Sequence, residues 1–202
     1  MNKQWLSLLA ADVEARHSRD VCERIFGDID IIGSDHISVA AWFERFTNGM
    51  DELNDKEFLT TMMVKRCPCG GGEAGFAKRA AIYKENYDKS ETLEEFVDVT
   101  NFYDRKKLVG NILYLTKNKS RSKDFGLCGK GCHCGLAKYA DKYVSDIFCY
   151  CCTVGHTGRP FQIAFGNDIK IEFIDSLIIG GKGCTMAIHL PEKSCLPILT
   201  TK

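Results

Sequence analysis

The chain has 202 residues, enough for one generous domain or two small ones whose core needs no disulfide scaffold. Lys plus Arg and Asp plus Glu balance at 27 each, which removes the global positive charge that a nucleic-acid binder uses to neutralise phosphates. No stretch approaches the roughly 20 apolar residues that span a bilayer, and the apolar run Trp5 to Ala11 is followed at once by Asp12, Glu14, Arg16 and Arg19, unlike a cleavable leader. The expectation is a cytoplasmic protein with neither nucleic acid nor membrane as partner.

Trp5, Leu8, Leu9, Val13, Val21 and Ile25 recur at helical spacing and predict one amphipathic helix ending near Gly27, with His17 and Cys22 along it. Ser34 or Asp35 caps a second helix through Val39, Trp42, Phe43 and Phe46, which Gly49 is expected to stop. A third follows Asn54, with Phe58, Leu59, Met62 and Met63 facing inward. It runs into Cys67-Pro68-Cys69 and three glycines, where the backbone must turn. A fourth helix then carries Phe76, Ala80, Tyr83 and Tyr87, and a fifth begins at Thr92, whose spacing to Glu95 fits a capping box.

From Arg105 to Lys123 there are seven basic residues and no acid. Such a run reads first as a solvated face and second as a guide for an anionic ligand, and Ile112 to Thr116 inside it reads as a strand. Pro160 suits the first turn of a helix ending at Gly166. Ile169 to Ile179 and Cys184 to Leu190 are β-rich runs around a Gly-Gly-Lys-Gly turn, a hairpin signal. Alternation puts Ile169, Ile171, Phe173, Leu177 and Ile179 on one face and groups Cys184, Met186, Ile188 and Leu190. Asp175 shares the first parity, so it is either turned out by a bulge or buried for a purpose. Glu172 and Ser176 point the other way. The fold expected is α+β: a helical region over 1–105 and a cysteine-rich α+β region over 106–202, forming one continuous unit closed by the antiparallel hairpin.

Eleven cysteines is an odd number, and six of them lie between Cys128 and Cys152. In a reducing compartment clustered thiols point to metal or to chemistry rather than to disulfides. Cys128 and Cys132 have the spacing with which a turn brings two sulfurs to one zinc; Cys67, Cys69, Cys134, Cys149, Cys151 and Cys152 complete the candidate ligand set. Zinc leads and an iron–sulfur centre is the alternative, because the spacing matches no standard ferredoxin run. Against both stands the reading of cysteine as a small buried hydrophobe, strongest for Cys22, Cys184 and Cys195. A nucleophilic thiol would need its pKa lowered by a neighbour such as His133 or His156.

The C-terminal third, from Phe148 to Gly158 and from Ile169 to Pro191, resembles the closing segment of the 4-vinyl reductase domain and of the L-2-amino-thiazoline-4-carboxylic acid hydrolase family. The matching positions are Cys149 or Cys151, Gly155, Glu172, Gly180, Gly181, Cys184 and the strand Met186 to Leu190; Ser176 stands where the 4-vinyl reductase pattern has a further cysteine. The resemblance implies an α+β module enclosing a small ligand. For the hydrolase family it implies water opening a cyclic C=N compound. Two functions follow as expectations. One is a cysteine-rich small-molecule-binding or sensing protein with a bound metal and a ligand that includes a carboxylate among its candidates. The other is a hydrolase in which a Cys149 or Cys151 thiolate, or a metal-bound water, attacks the C=N carbon, Glu172 or Asp175 moves protons, and the basic run receives the substrate carboxylate.

Overall fold

The structure, a computed structural model, describes residues 3–29, 35–66, 72–102, 104–117 and 145–193. It is an α+β protein. Helices α1 (Lys3–Arg16), α2 (Arg19–Phe26), α3 (His36–Glu52), α4 (Lys56–Lys65), α5 (Gly72–Lys89) and α6 (Leu93–Val99) precede strands β1 (Arg105–Val109) and β2 (Ile112–Thr116). Then come α7 (Ile147–Tyr150), a π-helical segment (Cys151–Gly158), α8 (Arg159–Phe165), β3 (Ile171–Asp175), a 3-10 turn (Leu177–Ile179) and β4 (Thr185–His189).

The expected first helix is two. Ser18 adopts extended backbone and its hydroxyl accepts from Val21 N, so it caps a new helix and folds α2 back onto α1. Leu6, rather than Leu8, takes the inward place on α1. Asp35 caps α3 as expected, through Ser38 N, but Gly49 does not end it. A Cβ there would lie 2.9 Å from Ile25 Cγ1, so this glycine lets α2 approach α3 closely. Asp55 and Thr92 cap α4 and α6. The Glu95 carboxylate accepts from Glu91 N, which makes the capping box reciprocal one residue early.

Two apolar clusters form the core. The helical cluster gathers Trp5, Leu9, Val39, Trp42, Phe43, Phe46, Leu59 and Met63 around Phe148 of α7. Phe148 meets Phe43 and Phe46 edge-on, with centroids 5.5 and 5.2 Å apart. The second cluster joins Tyr83, Phe96 and Phe102 to Leu113, Leu115, Met186 and Ile188 of the sheet and Phe161 of α8.

The sheet is open and antiparallel throughout, in the order β1-β2-β4-β3. Its register sets Leu108, Leu113, Ile188 and Ile171 in one row, with Lys106, Leu115, Met186 and Phe173 in the next on the same face. That face packs on the helices. Arg105, Lys107, Tyr114, Thr116 and Glu172 share the other. The basic run is therefore partly a strand on which Arg105 and Lys107 are exposed as expected, and Lys106, exposed like them, also serves a helix end. Its ammonium caps α6, donating to the carbonyls of Val97, Asp98 (3.1 Å) and Thr100 (3.3 Å).

The β3–β4 pairing confirms the expected hairpin, but β3 stops at Asp175. Leu177 and Ile178 are the buried residues of the following 3-10 turn and Ile179 is exposed, which replaces the alternation expected through Ile179.

Phe148→Ala is expected to destabilise the fold by about 3–5 kcal/mol; urea unfolding reads it as a lowered midpoint at unchanged slope, whereas Ile37→Ala, at an exposed position, stays within about 0.5 kcal/mol. Arg66 of the α4 C-terminus grips Asp12 of α1 at 2.6 and 2.8 Å, and this hydrogen bond, against the opposing effect of burial, holds the Asp12 carboxyl below its ordinary 3.8. The stability so contributed is present above 3.8 and is lost as pH falls through the lowered value. Asp12→Asn should therefore cost about 1 kcal/mol at neutral pH and nothing in strong acid, flattening that limb of the stability–pH curve.

Candidate functional site

One continuous helical rod, α7 through α8, separates a cleft from a cluster of thiols. Its middle, Cys-Cys-Thr-Val-Gly-His-Thr-Gly, is a poor α-helix: Thr153, Val154 and Thr157 are β-branched, and Gly155 and Gly158 favour no helical turn. Thr153 Oγ1 donates to the Cys149 carbonyl at 2.6 Å, a back-bond that competes with the regular ladder. Pro160, at the start of α8, brings no N–H to bond back into it. The segment widens to π geometry, a distortion found frequently at functional sites.

The face of the rod toward α4 and α5 lines a cleft of about 520 Å³. Thr60, Thr61, Val64 and Lys65 come from α4; Glu73 and Phe76 from α5; Tyr150, Val154, Gly155, Arg159 and Gln162 from the rod, with Asn167 beyond it. Val64, Phe76 and Val154 make an apolar wall. Lys65 and Arg159 against Glu73 leave one net positive charge among the lining side chains. His156 packs edge-on to Phe76 at 5.9 Å, and the Arg79 guanidinium lies 5.2 Å from the same ring.

The opposite face of the rod meets the ends of the strands. Cys149 Sγ donates to Ser176 Oγ at 2.9 Å, both residues being buried. Lys117, immediately after β2, donates from Nζ to Cys152 Sγ at 3.0 Å and from its backbone N–H to the Cys184 carbonyl at 2.9 Å. Burial works against the Lys117 ammonium, but the Cys152 sulfur, as opposing charge and as acceptor, with Asp104 and Cys184 behind it, outweighs burial and raises its pKa above the usual lysine value.

Cys149 and Cys151 are thus buried on the rod. Glu172 lies on the outer sheet face, 2.5 Å from His189 Nε2 and 2.9 Å from Lys170 Nζ. The bonds from Lys170 first and His189 second hold its carboxyl below the usual range. Asp175 sits at a register shift in the β3–β4 ladder, as one of its two expected fates required. Its carboxylate is a turn clamp: Oδ1 accepts from Ser176 N at 2.8 Å and Oδ2 from Lys182 N at 3.0 Å. A Cβ at Gly181 would overlap that carboxylate, so the glycine makes room for it. The clamp also fixes Ser176, and through it Cys149.

Of the eight cysteines expected as metal ligands, Cys67, Cys69, Cys128, Cys132 and Cys134 lie outside the described residues, as do His133 and Cys195. Among the described residues no three His, Cys, Asp or Glu side chains converge on a common point suited to a metal ion. Nor is any described helix long and apolar enough to cross a membrane. Sequence reasoning missed Lys117, although the signal was there. In Ile112 to Lys117 strict alternation puts Lys117 on the parity of buried Leu113 and Leu115.

A family model matches residues 6–195, which takes in the N-terminal helices, the rod and the sheet together. The chain belongs to DUF6144, a family of unknown function. No curated protein and no solved structure matches it. The DUF6144 match spans the helices α1 to α6, which the resemblance of the C-terminal third does not reach.

In this DUF6144 chain, removing the turn clamp by Asp175→Ala leaves two backbone N–H groups without their acceptor and should cost about 1–3 kcal/mol, measured by urea unfolding. Amide exchange at Ser176 and Lys182 should speed up in the same variant.

Proposed function

We propose that this protein binds a small molecule bearing a carboxylate in the cleft between α4, α5 and the π-helical segment. The observation that carries this is the pairing of Lys65 and Arg159 with an apolar wall of Val64, Phe76 and Val154 in a cleft of about 520 Å³, within the size range of small-ligand sites. Arg159 offers a planar fork of donors matched to a carboxylate. Gln162, Asn167 and the two threonines offer neutral donors and acceptors that would orient the remainder of the ligand.

Binding is favoured over hydrolysis by where the thiols sit. Cys149 and Cys152 bond to Ser176 and Lys117 on the sheet side of the rod, whereas the cleft opens between the rod and α4. Glu172 is engaged with His189 and Lys170 on the outer sheet face. A ligand in the cleft therefore meets arginine, lysine and amides, and none of Cys149, Cys151 and Cys152 is among the lining residues.

Titration of the full-length protein with small cyclic and linear carboxylates, led by 2-aminothiazoline-4-carboxylate, tests this by calorimetry. Saturable binding by at least one of them, weakened roughly tenfold or more in Arg159→Gln, is the expected result. Absence of binding by every carboxylate, or equal binding by the Arg159→Gln protein, would overturn it.

A further inference from the structure

We propose that Cys152 is a modification site, a thiolate paired with Lys117 that is oxidised by hydroperoxides. The pair stands apart from the cleft and does not depend on what the cleft binds.

Lysine is almost never fully buried unless it is paired, yet Lys117 is only 9 % exposed. Its ammonium, which has donors and no acceptor, is directed at the Cys152 sulfur at 3.0 Å. Ammonium with thiolate is the charge state in which each group satisfies the other, whereas a neutral thiol removes the opposing charge in direct contact with the buried ammonium. Access distinguishes this cysteine from its neighbours. Cys149, Cys151 and Cys184 are buried, while Cys152 is partly exposed. Asp104 faces Lys117 from the start of the sheet, Cys184 faces it from the start of β4, and the Cys149 sulfur on the preceding turn of the rod bonds to Ser176. His156, one turn further along, packs on Phe76.

The chemistry balances with a hydroperoxide as the oxidant. The thiolate sulfur attacks the nearer peroxide oxygen, an S–O bond forms as the O–O bond breaks, and sulfur is oxidised to a sulfenic acid. The peroxide is reduced; its leaving oxygen departs as hydroxide or alkoxide and takes a proton from solvent. The Lys117 ammonium lies where it stabilises the charge growing on that oxygen.

The test uses the reduced full-length protein, dilute hydrogen peroxide and dimedone, with fragment-ion mapping of the adduct. Dimedone is expected on Cys152 before any of the other cysteines, and the rate of Cys152 alkylation by iodoacetamide should rise with pH through an inflection below the ordinary thiol value of about 8.5. Lys117→Met should move that inflection up and slow alkylation at neutral pH, approaching roughly tenfold for each unit by which the inflection comes to lie above the assay pH, while Lys117→Arg keeps it low. A merely structural lysine would leave the inflection in place. First labelling at another cysteine, an ordinary inflection in the unmodified protein, or a Lys117→Met protein with unchanged inflection would each overturn the proposal. The inflection of the unmodified protein decides alone if Lys117→Met does not fold.

Discussion

The helical rod from α7 through α8 reaches into both cores, and its two aromatic anchors set the geometry of what lies beside it. Phe148 near its start is enclosed by Phe43 and Phe46 of α3, and Phe161 near its end stacks against Phe102 and leans on Tyr83. Each anchor is among the most fully buried side chains of the chain. A regular α-helix between them would hold one angular register from end to end; the π-helical middle changes it, so the N-terminal part serves the helical cluster while the C-terminal part serves the sheet. Loss of either anchor frees one end of the rod, and with it one wall of the cleft and one wall of the thiol cluster.

Charge is partitioned around this rod in a way that net neutrality conceals. Lys106 closes the C-terminal end of α6, and Lys193 does the same for α5 through the carbonyls of Tyr87 and Ser90. Lys117 is buried against sulfur. Among the lining residues of the cleft, by contrast, Lys65 and Arg159 outnumber Glu73. Helix ends and a sulfur acceptor each offer negative character at a fixed place, so Lys106 and Lys117 of the basic stretch are tied to the fold, the first from an exposed position and the second from a buried one.

The cleft and the thiol cluster share the rod as a common wall, so the same eight-residue segment presents Val154 and Gly155 to one and Cys152 to the other. Asp175 extends this economy of parts. By holding the turn before β4 it also holds Ser176, whose hydroxyl receives the Cys149 thiol. Sites of unlike chemistry are in this way positioned by one set of backbone bonds.

Local physics was enough to find much of the fold from the chain alone. Asp35 and Thr92 announced their helices because capping acts within three residues, Pro160 and Gly166 bounded α8, and the strand Ile112–Thr116 and the closing hairpin followed from period-two alternation. The break at Ser18, the through-running α3 at Gly49 and the early end of β3 were decided elsewhere: by α2 folding onto α1, by Ile25 needing room, and by a carboxylate reaching seven residues ahead to Lys182. The sites lay further from view. Cysteines 149 and 152 were visible as residues, but their partners Ser176 and Lys117 are 27 and 35 positions away. The cleft draws its lining from α4, α5, α7, the π-helical segment and α8. Sequence spacing governs contacts along one helix or strand, and only the packing of separate elements decides which distant side chains share a charge, a proton or a cavity.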